Sequence, residues 1–376
     1  MSAPSFNCLR DILVVGAFAG AVLAAPGSGR ANDVAFGGSG ADLVPITETR
    51  VTMVAEDILI ERVAKGGYAI MGDGYWRVRA RYTFRNTEAK AVTIQIGFPE
   101  PACPEDGDCS FAGFENLVTR VRGSEVALRL GSVASDHDWT AHINKAHLFD
   151  VTFAPGETVE IEHTYRHGLS EHINGGEDLT YITRTGALWA GAIGSARFRI
   201  RLPFRPWGMV LGDWADSLSG FAASSDANGA QTELTFTRTE WEPAGDMRLA
   251  FGPGLATLDT TALIAGCPAP MDIFDSEVAP DSVDSAALQK AVSGLSDEKL
   301  RLCRNAVFAR HGRAFKDASL NEFFYGGGAF RLHEAGTLFG VPVYSVFARD
   351  PFYSDALPGP EDRAYAEALL SVEKAR

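Results

Sequence analysis

The sequence has no GxSxG elbow, no HExxH pair, no P-loop and no GxGxxG fingerprint, so the catalytic and nucleotide-binding devices that leave a linear trace are missing. That does not exclude catalytic carboxylates, which strands far apart in sequence can bring together. Basic charge is short as well. Against 48 Asp and Glu there are 34 Lys and Arg, a net charge of -14 with pI near 5.1, which excludes a chain built to coat nucleic acid phosphates. Cysteine is sparse, five in 376 residues, and none stands in the CxxC spacing of a four-cysteine zinc site. The apolar run at residues 12–25, ILVVGAFAGAVLAA, is too short to be a comfortable membrane anchor. No cofactor, nucleic-acid partner or transmembrane anchor in the mature chain is expected.

What is present describes a folded, exported chain. Hydrophobic residues make up 46% and charged residues 22%, ordinary globular values, and the length suffices for two domains. The run at 12–25 follows Arg10 and leads into small residues, the pattern of a secretory signal at 1–31. Gly29 and Ala31 suit cleavage before Asn32, with Ala24 or Ala25 as alternatives. Cys8 precedes the apolar run and so cannot be a lipoprotein cysteine. Four cysteines remain for an oxidising periplasm or exterior, where three pairings exist; spacing favours Cys103 with Cys109 and Cys267 with Cys303. Closing the longer loop would contribute about 4 kcal/mol in the chain-entropy picture.

From residue 51 to 251 the pattern is period two, broken by Gly, Pro, Asn and Asp. Trp76, Val78, Ala80, Tyr82 and Phe84 alternate with Arg77, Arg79, Arg81, Thr83 and Arg85; Val92, Ile94, Ile96 and Phe98 repeat the pattern, as do Val159, Ile161, His163 and Tyr165. Ala196, Phe198, Ile200 and Leu202 alternate with Arg197, Arg199 and Arg201, and Leu234 and Phe236 face away from Glu233, Thr235 and Thr237. Without helical crossovers, this predicts a mainly β protein whose first domain, 32–255, is an antiparallel β-sandwich. Arg77, Arg79, Arg81, Arg197, Arg199 and Arg201 are candidate anion-binding residues for an anionic envelope polymer. The competing reading makes them the wet face of a sheet, paired with acids on neighbouring strands.

Residues 256–284, rich in Pro, Gly, Ala and acids, read as a linker with little core. Beyond them, 285–376 read as a small helical domain: a short helix at 286–292, a main helix after Ser296, and an amphipathic tail at 361–374 with Tyr365, Leu369 and Val372 on one face. In SDEKLRLCRNAVFARHGRAF, Ser296 is the expected N-cap, Leu295 staples onto Leu300, and Gly312 takes the left-handed C-cap. Leu300, Cys303, Val307 and His311 share one stripe, with Arg310 at its edge.

The motif Arg304, Asn305, Phe308, Ala309, Arg310, His311, Gly312, followed by Phe315 and Leu320-Asn321-Glu322-Phe323-Phe324, resembles the bacterial YARHG domain, with Phe308 in place of its tyrosine. The resemblance implies a small extracytoplasmic module without an assigned activity; after Phe324 this chain departs from it with Tyr325-Gly326-Gly327-Gly328 and an insertion to Arg349. Two readings of Arg310 and His311 follow: buried helix-end polars satisfied by loop carbonyls or a carboxylate such as Asp317, or a clamp for a ligand carboxylate or phosphate. Most of residues 32–255 also resemble a family of secreted bacterial β-rich proteins of unknown function. That likeness rests on Ala31-Asn32-Asp33, Glu56-Asp57-Ile58, Tyr82-Thr83-Phe84-Arg85-Asn86, Phe153-Ala154-Pro155-Gly156, Ile161-Glu162-His163-Thr164-Tyr165, and Tyr181 through Thr185-Gly186-Ala187-Leu188-Trp189.

Six of the eight histidines fall between His137 and His172, which invites a metal reading. His137, His142 and His147, five apart, would point to alternate faces of a strand, and His163 sits on an apolar face, so no metal site is assigned. Glu105, Asp106 and Asp108 lie in the loop PEDGD without the spacing of an EF-hand. The reading is an exported, non-catalytic binding or interaction protein of the cell envelope, with an envelope polymer or protein as partner and no catalytic residue assigned. The alternative is an envelope-polymer hydrolase using carboxylates from separate strands.

Overall fold

The structure, a computed structural model, describes residues 33–37, 44–64, 74–101, 113–133, 143–171, 177–204, 206, 208–210, 221–225, 231–252, 262–274, 282–326, 330–338 and 341–376. The signal segment 1–31, the Cys103–Cys109 pairing with its acidic loop, and His137, His142 and His172 lie outside these residues.

The described chain is mainly β, with its α-helices gathered at the C-terminal end. An eight-stranded sheet runs β15 (Phe221–Ser225), β16 (Thr232–Trp241), β13 (Ile193–Leu202), β3 (Val51–Ala64), β4 (Gly74–Asn86), β10 (Thr158–His167), β6 (Glu115–Val121), β7 (Ser124–Glu125). A five-stranded sheet runs β2 (Val44–Pro45), β1 (Val34–Gly37), β5 (Val92–Pro101), β9 (Ile143–Phe153), β8 (Arg129–Ser132). A six-stranded sheet runs β11 (Ser170–Glu171), β12 (Glu177–Tyr181), β17 (Met247–Gly252), β14 (Gly208–Val210), β19 (Val341–Ala348), β18 (Phe330–Leu338).

Period two translates directly into burial. Trp76, Val78, Ala80, Tyr82 and Phe84 are all at most 1% exposed, and the arginines between them face out. One buried cluster draws on all three sheets: Ile96 and Phe149, Tyr82 and Phe198, and Tyr181 and Met247 belong to it. The hydroxyls of Tyr82 and Tyr181 meet inside it at 2.5 Å, one donating to the other where water is excluded. Antiparallel pairing is the rule with one correction: β13 pairs with β3 in parallel, Arg197 opposite Asp57 and Arg201 opposite Glu61. More than a hundred residues, including other sheets' strands, separate the two. That path is long enough to serve as the crossover a parallel pair requires without any helix.

Two further corrections concern the C-terminal part. Residues 262–274, expected to be linker with little core, bury Leu263, Ile264, Cys267 and Ile273 against the helices. The insertion after Phe324 forms the β18–β19 hairpin rather than helix, and β19 pairs with β14, placing Tyr344 opposite Met209. Tyr344 and Val346 join the large β core while Phe347 joins the helical one. A strand buried on both faces reads as a continuous apolar run, here VYSVFA, rather than as an alternation. The helices are α1 (Ser285–Val292), α2 (Asp297–Arg310), α3 (Ala318–Tyr325) and α4 (Pro360–Ala375). Ser296 caps α2 by accepting from the Lys299 amide at 3.2 Å, and Gly312 ends it with φ 87°. Cys267 and Cys303 form a disulfide that ties the buried 262–274 segment to α2.

Candidate functional site

The six candidate arginines share the outer face of the eight-stranded sheet because β13 and β4 flank the same strand, β3. Register then builds transverse rows of alternating charge: Arg197, Asp57, Arg81, Glu162 and Arg120 in one, and Glu233, Arg201, Glu61 and Arg77 in another. Arg197 and Arg199 reach Asp57 at 2.5 and 2.9 Å, Arg201 reaches Glu233 at 2.6 Å and Glu61 at 3.3 Å, Arg77 reaches Glu61 at 2.9 Å, and Arg81 reaches Glu162 at 3.2 Å. Burial pushes the Asp57 carboxyl up, but hydrogen bonds and charge from Arg197 and Arg199 outweigh it and hold the group below its ordinary range. The hydrogen bond to Asp57 raises Arg197 in turn. Most of the array is therefore satisfied within the sheet. Leu59, in the middle row on this same outer face, is only 7% exposed.

One part of the face differs. A groove of about 290 Å³ opens over β3, β4, β10 and β6, and Arg77, Arg79 and Arg166 line it with Glu61, Asn116 and Thr164. Among the described residues Arg79 and Arg166 make no ion pair, and Arg166 instead lies over the Tyr75 ring at 4.7 Å. Sequence reading missed Arg166. Its signal was present, since it alternates with the inward Tyr165 and His167 on the strand already recognised.

Several buried polar groups find partners within the fold, although Asp33 Oδ2 is buried without one among the described residues. His163, fully buried, bonds Asp33 at 3.0 Å and Thr119 at 2.8 Å and stacks on Phe98. Burial raises the Asp33 carboxyl against the opposing pull of His163, and the Asp33 carbonyl accepts from the Trp189 indole at 3.0 Å. His147 bonds Glu100 at 2.8 Å, and His167 Nδ1 meets the Gly168 carbonyl at 2.7 Å, so these histidines go to separate partners. Among the described residues no three His, Cys, Asp or Glu side chains converge as a metal cluster. Arg62 and Glu177 pair at 2.8 Å with 1% exposure each, joining β3 to β12.

At the end of α2, Arg310 and His311 both grip Asp362 in the first turn of α4, His311 Nε2 at 2.7 Å from Oδ2. Burial raises Asp362, yet the His311 hydrogen bond, the Arg310 and His311 charges and the Gly359 amide prevail and hold it low. Asp317, the acid expected there, instead caps α3 and pairs with Arg301. Arg304 bonds Glu373 at 3.1 Å, Asn305 donates to the Arg301 carbonyl at 2.7 Å, and the Arg313 guanidinium lies 5.0 Å over Phe308. Ala309 is fully buried, its carbonyl 3.1 Å from the Tyr325 hydroxyl. A Cβ on Gly312 would come within 2.5 Å of the Asp350 amide nitrogen, so close packing and left-handed backbone both demand glycine there. Residues 276–329 match the YARHG domain. The chain carries this domain. The YARHG match ends before the β18–β19 hairpin and α4, so the acid that the YARHG Arg-His pair grips comes from outside the matched segment.

Among curated proteins no match was found. Among solved structures, a candidate nutrient binding protein from Legionella pneumophila subsp. pneumophila str. Philadelphia 1 is similar at 24% identity, covering 90% of this chain and 99% of that one with a TM-score of 0.48. An M1 zinc metallopeptidase from Deinococcus radiodurans is similar at 14% identity over 54% of this chain and 43% of its own, with a TM-score of 0.30. Neither likeness bears on what this chain does. Among the described residues no helix is long and apolar enough to cross a membrane.

Proposed function

We propose that this chain is an exported, non-catalytic binding or interaction protein of the bacterial cell envelope, whose front region, 32–255, packs its sheets as a β-sandwich and whose helical region, 285–376, follows it and holds most of the YARHG match. The observation that carries the reading is the arginine-lined groove on the eight-stranded sheet: a locally cationic concavity on a chain of net charge -14. In such a chain the default surface repels anions, so a patch where guanidinium groups outnumber carboxylates, with Arg79 and Arg166 outside any ion pair among the described residues, is a feature for attracting them. The Cys267–Cys303 bridge supports an oxidising compartment, where disulfides persist. The buried Asp33–His163–Thr119 group has the residue types of a catalytic relay but no exposure to substrate, so it is read as structural.

The test is retention of the purified protein on anionic cell-wall and lipopolysaccharide fractions as salt is raised. Capture at low ionic strength that weakens as the Debye length shrinks is the expected result. No retention at low salt removes the reading, and turnover of a cell-wall substrate in a parallel screen moves the chain to the hydrolase class.

A further inference from the structure

We propose that the groove over β3, β4, β10 and β6 is a phosphomonoester site, held by Arg79 and Arg166 with Arg77 as third cation, and that the other arginines of the sheet face are structural. The inference rests on the reading of this groove as a binding surface and names the ligand class it takes.

Charge matching favours phosphate. Three guanidinium groups and one carboxylate, Glu61, line the groove, an excess of two positive charges. Glu61 is divided further, since it also bonds Arg201 at 3.3 Å outside the groove. A phosphomonoester carries about -1.5 to -2 at neutral pH with three strong acceptor oxygens, so one ligand group balances the excess. A single carboxylate leaves a positive charge over.

Placement supports the same choice. Arg77 and Arg166 are direct register partners across β4 and β10, where like charges destabilise a sheet, and Glu115, opposite Arg166 on β6, makes no ion pair with it. Arg166 stacks on Tyr75, which holds its planar fork in place before a ligand arrives. Between Thr164 and Arg166 the β10–β6 pairing slips, and Asn116 on the facing strand adopts a left-handed φ of 54°. Bulges of this kind re-aim side chains, and both Thr164 and Asn116 line the groove, where hydroxyl and amide can bond a phosphate or the group it esterifies. The volume has room for a phosphate with a small organic substituent. A free phosphorylated metabolite and a terminal phosphate on an envelope polymer present the same chemistry.

Calorimetric titration of the full chain tests this, with inorganic phosphate, glucose 6-phosphate and a phosphate-bearing lipopolysaccharide fraction as probes and acetate and glucuronate as carboxylate controls. Saturable binding of the phosphomonoesters is expected, weakened roughly tenfold or more by Arg79→Ala and by Arg166→Ala, since a charge-assisted hydrogen bond is lost in each. Arg79→Lys keeps the charge without the fork and should fall between. Arg197→Ala, outside the groove, should stay within about twofold of wild type, the range of an exposed ion pair. Circular dichroism checks that each variant is folded; both groove arginines are exposed, so it should be unchanged. Absence of phosphomonoester binding, equal loss in Arg197→Ala, or equal affinity for glucuronate overturns the proposal. Envelope retention without phosphomonoester binding leaves the broader reading standing alone, and glucose 6-phosphate binding without envelope retention does the reverse and points to a free metabolite.

Discussion

The sheet face and the end of α2 both pair arginines with carboxylates, and they differ in what surrounds the pair. Arg197 and Asp57 are 52% and 27% exposed, whereas Arg310 and Asp362 are 13% and 11% exposed and Arg62 and Glu177 only 1%. On the face, water stands ready to replace either partner, so a pair sets charge distribution more than stability. In the interior nothing replaces a lost partner, and the remaining charge stays desolvated. The same chemistry serves as a solvated ladder in one place and as a clamp between elements in the other.

Removing one half of the most buried pair should break the fold hardest. Glu177→Ala leaves Arg62 buried without its acid and should cost about 3–5 kcal/mol, read as a shift of the urea midpoint. Next comes the bridge: Cys303→Ser opens a loop of sequence separation 36 and should cost about 4 kcal/mol in the chain-entropy picture, with wild type falling to the same stability in reductant. A wild type indifferent to reductant would contradict the bridge as a stabiliser of the C-terminal region.

Asp362→Asn should cost about 2–3 kcal/mol at neutral pH by removing the charge that Arg310 and His311 share. The sign of its pH dependence is set by the shift. Because the folded-state carboxyl is held low, its contribution is complete above the ordinary aspartate value of about 4 and is lost as pH falls through the lower folded value. Wild type and variant should therefore converge in melting temperature on acidification, and a gap that persists at low pH would contradict the charged clamp. Asp33 acts in the opposite direction: raised by burial, it favours the folded state more at low pH and loses that contribution as pH rises through its folded value. The smallest effect is expected on the ladder, where Arg197→Ala should cost under about 1 kcal/mol.

Local signals were legible where one face is wet. Alternation marked Trp76 to Phe84 and Ala196 to Leu202, and the caps Ser296 and Gly312 announced the ends of α2, because both depend on residues near in sequence. The charge ladder was half legible: its arginines could be read, but which acids oppose them depends on β13 lying beside β3, a pairing across more than a hundred residues. Asp362 was hidden for the same reason, standing 51 residues from His311. β19 was unreadable as a strand because burial on both faces erases alternation, and residues 262–274 passed for linker because Leu263, Ile264 and Ile273 stand among prolines, glycines and acids. Arg166 was legible in principle, since it alternates with the inward Tyr165 and His167 of β10, but nothing local marks it as lacking an acid partner.

On the proposed reading this face binds through the arginines its own acids leave over, and not through the ladder as a whole. The direct measurement is affinity for an anionic envelope fraction against ionic strength, for wild type, an Arg79→Ala/Arg166→Ala double variant, and an Arg197→Ala/Arg201→Ala double variant. The groove variant should lose most of the low-salt affinity and much of the salt dependence, while the ladder variant follows wild type. Equal losses in the two variants, or loss only in the ladder variant, would contradict it.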